Sequence, residues 1–194
     1  MPVHPLRRPV TADRPTDVGA VTHAVIGHLA HDARTLTAFE VADRVIAAAG
    51  QMVVNKVASR RRAVWFEAVG HASLYLRCLV PPLPWALLGV EHRAGAGLVD
   101  LAWEHPLAGV VYEEIKTTGH GGVTDPGPAY IEQCLGYAQA GAVEHGDRFL
   151  GVRLVVLGGL RASRFVHADG RSLPLSGRDP AGRLHLESAP GAGQ

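Results

Sequence analysis

Lysine and cysteine are both scarce in this chain of 194 residues. Lys56 and Lys116 are the only lysines, and arginine supplies the other basic side chains. Cys78 and Cys134 are too few for a disulfide framework or a four-cysteine cluster, and their apolar surroundings predict two buried thiols. The formal net charge is only +1, so no global excess of basic groups marks a nucleic-acid binder. A nucleic-acid surface would have to be local.

Long apolar runs are also missing. No stretch has membrane-spanning length, and residues 1–9 lack the apolar core of a signal peptide, so we expect no membrane partner and a cytoplasmic location. Hydrophobic residues nevertheless make up 47% of the chain, which is enough for the core of one domain. We expect a mobile arm over residues 1–15, one domain over 16–168, and a tail over 169–194 that is an edge hairpin or disordered.

The apolar periodicity changes from helical to strand-like near Trp85. Three helices are expected within residues 16–80, and the second opens on Thr37 and Glu40, a capping-box pair. Residues 85–168 form the sheet part, with strands predicted over 85–91, around Asp100 and Glu114, and over 149–157 and 162–167, and a helix over 129–145. This order predicts an α/β fold in which N-terminal helices precede a mixed β-sheet flanked by helices.

Charged residues interrupt two of these strands. Asp100 stands among Leu98, Val99 and Leu101, where a lone carboxylate would be costly to desolvate. On the next strand Tyr112, Glu114 and Lys116 share one face, while Val111, Glu113 and Ile115 share the other. Two carboxylates and a backbone carbonyl would suit Mg²⁺ or Mn²⁺. The alternative is a set of charges paired at the surface.

Asp100 followed by Glu114-Ile115-Lys116 resembles the D…(D/E)-x-K signature of the PD-(D/E)XK nuclease superfamily. The run from Glu114 to Gly119, Glu-Ile-Lys-Thr-Thr-Gly, is similar to the version found in RecB-like exonucleases. Gly97 and Asp100 also match the Gly-x-x-Asp approach to the metal aspartate in that family.

Two further elements stand in the order of the same family. Gly19 and His23 are similar to its G-x-x-x-H element, in which the histidine is a metal ligand; a solvated histidine is the alternative. Gln133 and Tyr137 match its Q-x-x-x-Y element and share one face of the last helix, as an ordinary amphipathic helix would also arrange them.

The resemblance implies a restriction-endonuclease-like core and a Mg²⁺- or Mn²⁺-dependent DNA nuclease, exonuclease-like, acting in DNA repair or in defence against foreign DNA. A separate helicase or other subunit is a possible partner, and the oligomeric state is left open. A non-catalytic nucleic-acid-binding or assembly module with the same fold is the alternative. The roles implied are metal binding by His23, Asp100, Glu114 and the Ile115 carbonyl, orientation or activation of water by Lys116, and substrate positioning by Gln133 and Tyr137.

Arg60, Arg61 and Arg62 form the one dense basic cluster of the sequence. They could contact a phosphate backbone, and a solvated turn is the alternative.

Overall fold

The computed structural model describes residues 14–54, 58–118 and 125–175. Residues 1–13 of the expected arm and residues 176–194 of the expected tail lie outside these ranges. The main elements are α1 (Arg14–Leu29), α2 (Ala38–Met52), α3 (Ala58–Cys78), β1 (Ala86–Ala94), β2 (Gly97–His105), β3 (Gly109–Thr117), α4 (Pro128–His145), β4 (Phe149–Leu157), β5 (Arg164–Val166) and β6 (Ser172–Pro174). None of the described helices is both long and apolar enough to cross a membrane.

The three N-terminal helices follow from their local sequence. In α1, one stripe of apolar residues at helical spacing is buried: Val18, Val21, Val25 and Leu29. The capping box of α2 is formed: Thr37 N donates to Glu40 Oε2 at 2.8 Å, and Glu40 N donates to Thr37 Oγ1 at 3.3 Å. In α3, Ala68, Ala72 and Leu76 face the core.

The sheet is mixed, with its strands in the order β1-β2-β3-β4-β5-β6. The first three strands form an antiparallel meander, β3 pairs with β4 in parallel, and β4-β5 and β5-β6 are antiparallel. Helix α4 provides the crossover that a parallel pair requires. The predicted class, an α/β fold with N-terminal helices and a mixed sheet flanked by helices, is confirmed.

Both ends of the sheet extend beyond the predicted strands. β1 continues to Ala94 because His92 and Arg93 still pair with β2, and the chain turns only at Gly95, whose φ is 60°. At the other end β6 pairs with β5, so the sheet runs past residue 168. Residues 176–194, which make up the rest of the expected edge hairpin or disordered tail, lie outside the described part of the chain.

Two hydrophobic cores lie on opposite faces of the sheet. Ile115 and Trp103 belong to the core shared with α1, α2 and α3, whereas Tyr112 belongs to the core shared with α4. The predicted alternation along β3 is therefore confirmed. Cys134 lies in the α4 core and is buried, but Cys78 at the end of α3 is only partly buried, so that part of the cysteine prediction was wrong.

Candidate functional site

The site begins where strands β2 and β3 stop pairing. Their register runs from His105 opposite Gly109 to Leu101 opposite Glu113. Asp100 immediately precedes Leu101 on β2. Its Oδ2 accepts a hydrogen bond of 2.7 Å from the backbone N–H of Ile115. A side-chain carboxylate thus takes the place of a carbonyl in the ladder. The carboxylate is held at the sheet's open end with 21% of its side chain exposed.

Helix α1 brings His23 to this carboxylate. His23 Nδ1 lies 2.8 Å from Asp100 Oδ1, and 27% of the histidine side chain is exposed. Gly19 lies one turn earlier on α1, at a point where a Cβ atom would stand 3.2 Å from Thr117 Oγ1 of β3. Glycine at this position therefore lets the helix approach the strand that carries Glu114 and Lys116.

Glu114 and Lys116 face α4 and contact each other. Lys116 Nζ donates to Glu114 Oε1, and the side chains are only 8% and 3% exposed for the lysine and the glutamate. The ammonium group also lies 5.0 Å from the ring centroid of Tyr130, on the first turn of α4, as a cation–π contact. The predicted carboxylate and amine pair is therefore formed, and it is almost fully buried.

The charges of Glu114 and Lys116 affect the pKa of the Cys134 thiol on α4. Burial raises the pKa of Cys134 to about 12; the negative charges of Glu114 and Asp100 also raise it, and Lys116 opposes them. All three charged residues therefore act electrostatically on the same buried thiol of α4.

The predicted pair on α4 is also in contact. Gln133 Nε2 donates to Tyr137 OH at 2.8 Å. The Tyr137 ring rests against the start of β2, because a Cβ atom on Gly97 would stand only 2.7 Å from Tyr137 Cε1. Gly97 precedes Asp100 by three positions, so the absence of a side chain there lets the tyrosine approach the acid-bearing strand.

A pocket of about 360 Å³ opens on the α1 side of the sheet. His23, Asp100 and Ile115 line it together with Glu91 and other residues of α1, β1 and β2. Glu91 has φ at 48°, a left-handed conformation that non-glycine residues adopt uncommonly. Glu114 and Lys116 are not among the lining residues because their side chains point to the other face.

The separation of the His23 and Asp100 donor atoms is that of a direct contact, and it is also compatible with one octahedral divalent cation. Adjacent ligands around Mg²⁺ at about 2.1 Å lie about 3 Å apart, and the nitrogen and oxygen here are 2.8 Å apart. Glu114 contacts Lys116 through Oε1, and its side chain points to the face of the sheet opposite the pocket. A different group of side chains brings three possible ligand atoms together. Among the described residues, those of His92, Glu144 and His145 all lie within 4.8 Å of one another.

The basic cluster lies on the first turn of α3. Arg62 is exposed, with its guanidinium 5.7 Å from the ring centroid of Phe66 on the same helix. Arg60 and Arg61 are partly buried. The Arg62–Phe66 contact lies within α3, and the role of the cluster in DNA binding stays a prediction.

Sequence reasoning missed a buried polar network on the helical side of the sheet. Glu113 Oε2 accepts from Trp103 Nε1 at 2.8 Å and from Arg153 Nη1 at 3.3 Å, and Arg153 Nη2 donates to the Leu79 carbonyl at 3.0 Å. Burial raises the pKa of Glu113, and the charge of Arg153 opposes that shift. The available signal was a charged residue on the helical face of β3, Glu113, and the one charged residue of β4, Arg153, which the parallel register places opposite each other.

Comparisons with protein-family models, with curated proteins and with solved structures give no match to this chain.

Proposed function

We propose that the chain is a Mg²⁺- or Mn²⁺-dependent DNA nuclease that hydrolyses phosphodiester bonds, with an exonuclease-like mode of action. The observation that carries the proposal is the arrangement around Asp100. This carboxylate lies at the end of the β2-β3 ladder, contacts His23, and is tied to the backbone between Glu114 and Lys116. An acid, an imidazole and an acid–lysine pair are thereby gathered at one end of the sheet.

His23 and Asp100 are the residues that would hold the cation, with Glu114 and the Ile115 carbonyl completing the set. A bound divalent cation would supply charge stabilisation at the phosphate and a lower pKa for a bound water. Asp100 is held by a main-chain hydrogen bond, which orients its carboxylate before any ligand arrives.

Lys116 provides the positive charge of the proposed reaction. In the structure its ammonium group is directed by Glu114 on one side and by the Tyr130 ring on the other. During hydrolysis it would orient the attacking water and stabilise negative charge on the phosphate oxygens. Gln133 and Tyr137, hydrogen-bonded to each other on α4, would position the substrate strand near this lysine.

One observation favours a second candidate, a non-catalytic DNA-binding or assembly module. The Glu114 and Lys116 side chains are nearly buried, as they would be in an ion pair that only holds α4 on the sheet. The two candidates differ in one measurable property, because a module of this kind binds its partner without breaking phosphodiester bonds.

Cleavage of end-labelled DNA tests the proposal. Linear and closed circular DNA, single- and double-stranded, would be incubated with the full chain in the presence of Mg²⁺, Mn²⁺ or EDTA. We expect metal-dependent degradation of linear DNA, sparing of circles, and a loss of about 10²- to 10⁴-fold in Lys116→Ala. Wild-type-like activity in Lys116→Ala would overturn the mechanism, and DNA binding without cleavage by any metal would support the module.

Asp100→Asn is the sharper variant because it changes charge with little change of shape. The asparagine carbonyl can still accept the Ile115 N–H bond, so the sheet end should be preserved while the ligand charge is lost. Asp43→Asn, on the exposed side of α2, is the matched control and should cleave normally. Circular dichroism of each variant separates lost chemistry from lost fold, which matters for Lys116→Ala because it leaves the Glu114 charge in a buried place.

A further inference from the structure

A second polar cluster lies on the α4 face of the sheet, at the end of α4 remote from Lys116. It contains His92 of β1 and the last two residues of α4, Glu144 and His145. His92 Nε2 and His145 Nε2 lie 3.6 and 3.8 Å from Glu144 Oε1. None of these residues belongs to the site proposed for nuclease activity.

We propose that His92, Glu144 and His145 form a binding site for a borderline divalent transition-metal ion, for which Zn²⁺ is the best fit. Two imidazoles and one carboxylate are a common ligand set for zinc, whereas a set in which imidazole predominates suits Mg²⁺ poorly because that ion favours oxygen ligands. The possible ligand atoms of the three residues lie within 4.8 Å of one another, so small side-chain adjustments bring all of them to a single ion.

The surroundings of the cluster suit a cation. Glu144 and His145 end an 18-residue helix, where the partial negative charge of the helix dipole favours positive charge. The side chains of His92 and His145 are 21% and 18% exposed and that of Glu144 is 45% exposed, so an ion has a route from solvent. Three protein ligands would leave a fourth position for water.

Tyr112 supports Glu144 as a ligand, whereas its contacts with the two histidine Nε2 atoms would be exchanged for the ion. Its hydroxyl donates to Glu144 Oε2 at 2.8 Å and lies 2.9 Å from His145 Nε2 and 3.4 Å from His92 Nε2. A group that hydrogen-bonds to a metal ligand orients that ligand and typically contributes about 10- to 100-fold in metal affinity. The tyrosine is buried at 0% exposure, so its position is fixed by the core.

The strand pairing places small residues beside Tyr112, which leaves room for the His92 imidazole. Ala102 of β2 lies opposite Tyr112, and Gly89 of β1 lies opposite Ala102. A Cβ atom on Gly89 would stand 3.2 Å from His92 Nδ1, so a small residue there allows the imidazole to lie over this row. A bound ion would join β1, at the sheet edge, to the C-terminal end of α4.

Zinc binding by the full chain tests this inference. Equilibrium dialysis with metal analysis gives the stoichiometry, and visible absorption of the Co²⁺-loaded protein reports nitrogen and oxygen ligation directly. We expect one equivalent of Zn²⁺ on the wild type, a rise in Tm with Zn²⁺, and loss of that equivalent in His92→Gln and in His145→Gln. Tyr112→Phe should retain the site with about 10- to 100-fold weaker affinity.

Two controls separate this site from other histidines and from the proposed nuclease. His31→Ala removes an exposed histidine that pairs with Asp32 and should leave zinc binding unchanged. Asp100→Asn should also keep the zinc equivalent, whatever its effect on DNA cleavage. Stoichiometric binding that survives both His92→Gln and His145→Gln, binding that disappears in Asp100→Asn, or no stoichiometric zinc on the wild type would each overturn the inference.

Discussion

Arg153→Met is expected to be among the most destabilising single substitutions on the helical side of the sheet. Arg153 is 1% exposed, and it donates to Glu113 and to the Leu79 carbonyl. Methionine keeps much of the volume but leaves a carboxylate and a carbonyl without their cationic donor. Glu113 retains the bond from Trp103, which partly compensates the carboxylate.

The magnitude follows from the burial of both partners. Removing one member of a buried ion pair typically costs about 3–5 kcal/mol, because the other charge stays buried without compensation. Domains are stable by roughly 5–15 kcal/mol, so this loss is a large share of the total. For a chain of this size it corresponds to a fall in Tm of about 6–20 °C.

The exposed pair between Arg148 and Glu104 is the matched control. Its Nη2–Oε1 distance is 3.0 Å, similar to the 3.3 Å of the buried pair, but its side chains are 56% and 39% exposed. Arg148→Met should therefore change the free energy of unfolding by only about 0–1 kcal/mol. Urea denaturation followed by tryptophan fluorescence compares the two variants. Equal small losses of unfolding free energy in the two variants would refute the argument that burial makes the Arg153 pair the more stabilising one.

The same network predicts a dependence on pH. Burial raises the pKa of Glu113 above its ordinary value of 4.5, so the folded state holds the proton more tightly than the unfolded state. The stability that this proton contributes is complete below the unfolded pKa and is lost as the pH rises through the folded pKa. Glu113→Gln cannot ionise, so its stability relative to wild type should increase over that window, by about 1.4 kcal/mol for each unit of pKa shift. Parallel stability curves for the two proteins would contradict this.

Two substitutions and one alkylation experiment test the α4 side of the sheet. Gly97→Ala should lower the free energy of unfolding by about 1–3 kcal/mol because the new methyl group meets the Tyr137 ring. In Gly136→Ala the new methyl group meets nothing within 4 Å, so thermal denaturation should show a stabilisation of up to about 1 kcal/mol. Cys134, with its pKa raised to about 12 and its side chain buried, should resist alkylation in the native protein while the partly buried Cys78 reacts faster, as mass spectrometry would show. Rapid native labelling of Cys134 would contradict the packing described for α4.

Local sequence signals were sufficient for most of the elements. The capping box at Thr37 and Glu40 formed as predicted because both halves of it lie within one turn. The alternation on β3 and the contact between Gln133 and Tyr137 follow from the fixed geometry of a strand and a helix. The predicted bounds of β4 match the observed ones, since its sequence is apolar except for Arg153 and is typical of a buried strand.

Contacts set by register or by the crossing of distant elements were beyond these signals. Glu113 and Arg153 meet because a parallel pair aligns residues from strands separated by a helix, and no local pattern fixes that alignment. His92 and His145 approach each other only because β1 lies under the end of α4. No local pattern brings His23 to Asp100; only the resemblance to the nuclease family, which stays a prediction, suggested that they share a site. The burial of Lys116 was not foreseen, since a lysine is usually exposed.

The hydrogen bond from the main-chain N–H of Ile115 to Asp100 makes the position of the acid independent of the packing of the Ile115 side chain. Because the carboxylate is anchored to the backbone, its position does not depend on which side chain residue 115 carries. That residue is free to serve the hydrophobic core on the α1 face, where its side chain is 1% exposed, and it can vary in size as the core varies. Proline is the one residue that would release the acid, since it alone lacks the N–H. The position of the Asp100 carboxylate is therefore unaffected by changes in the packing around the side chain of residue 115.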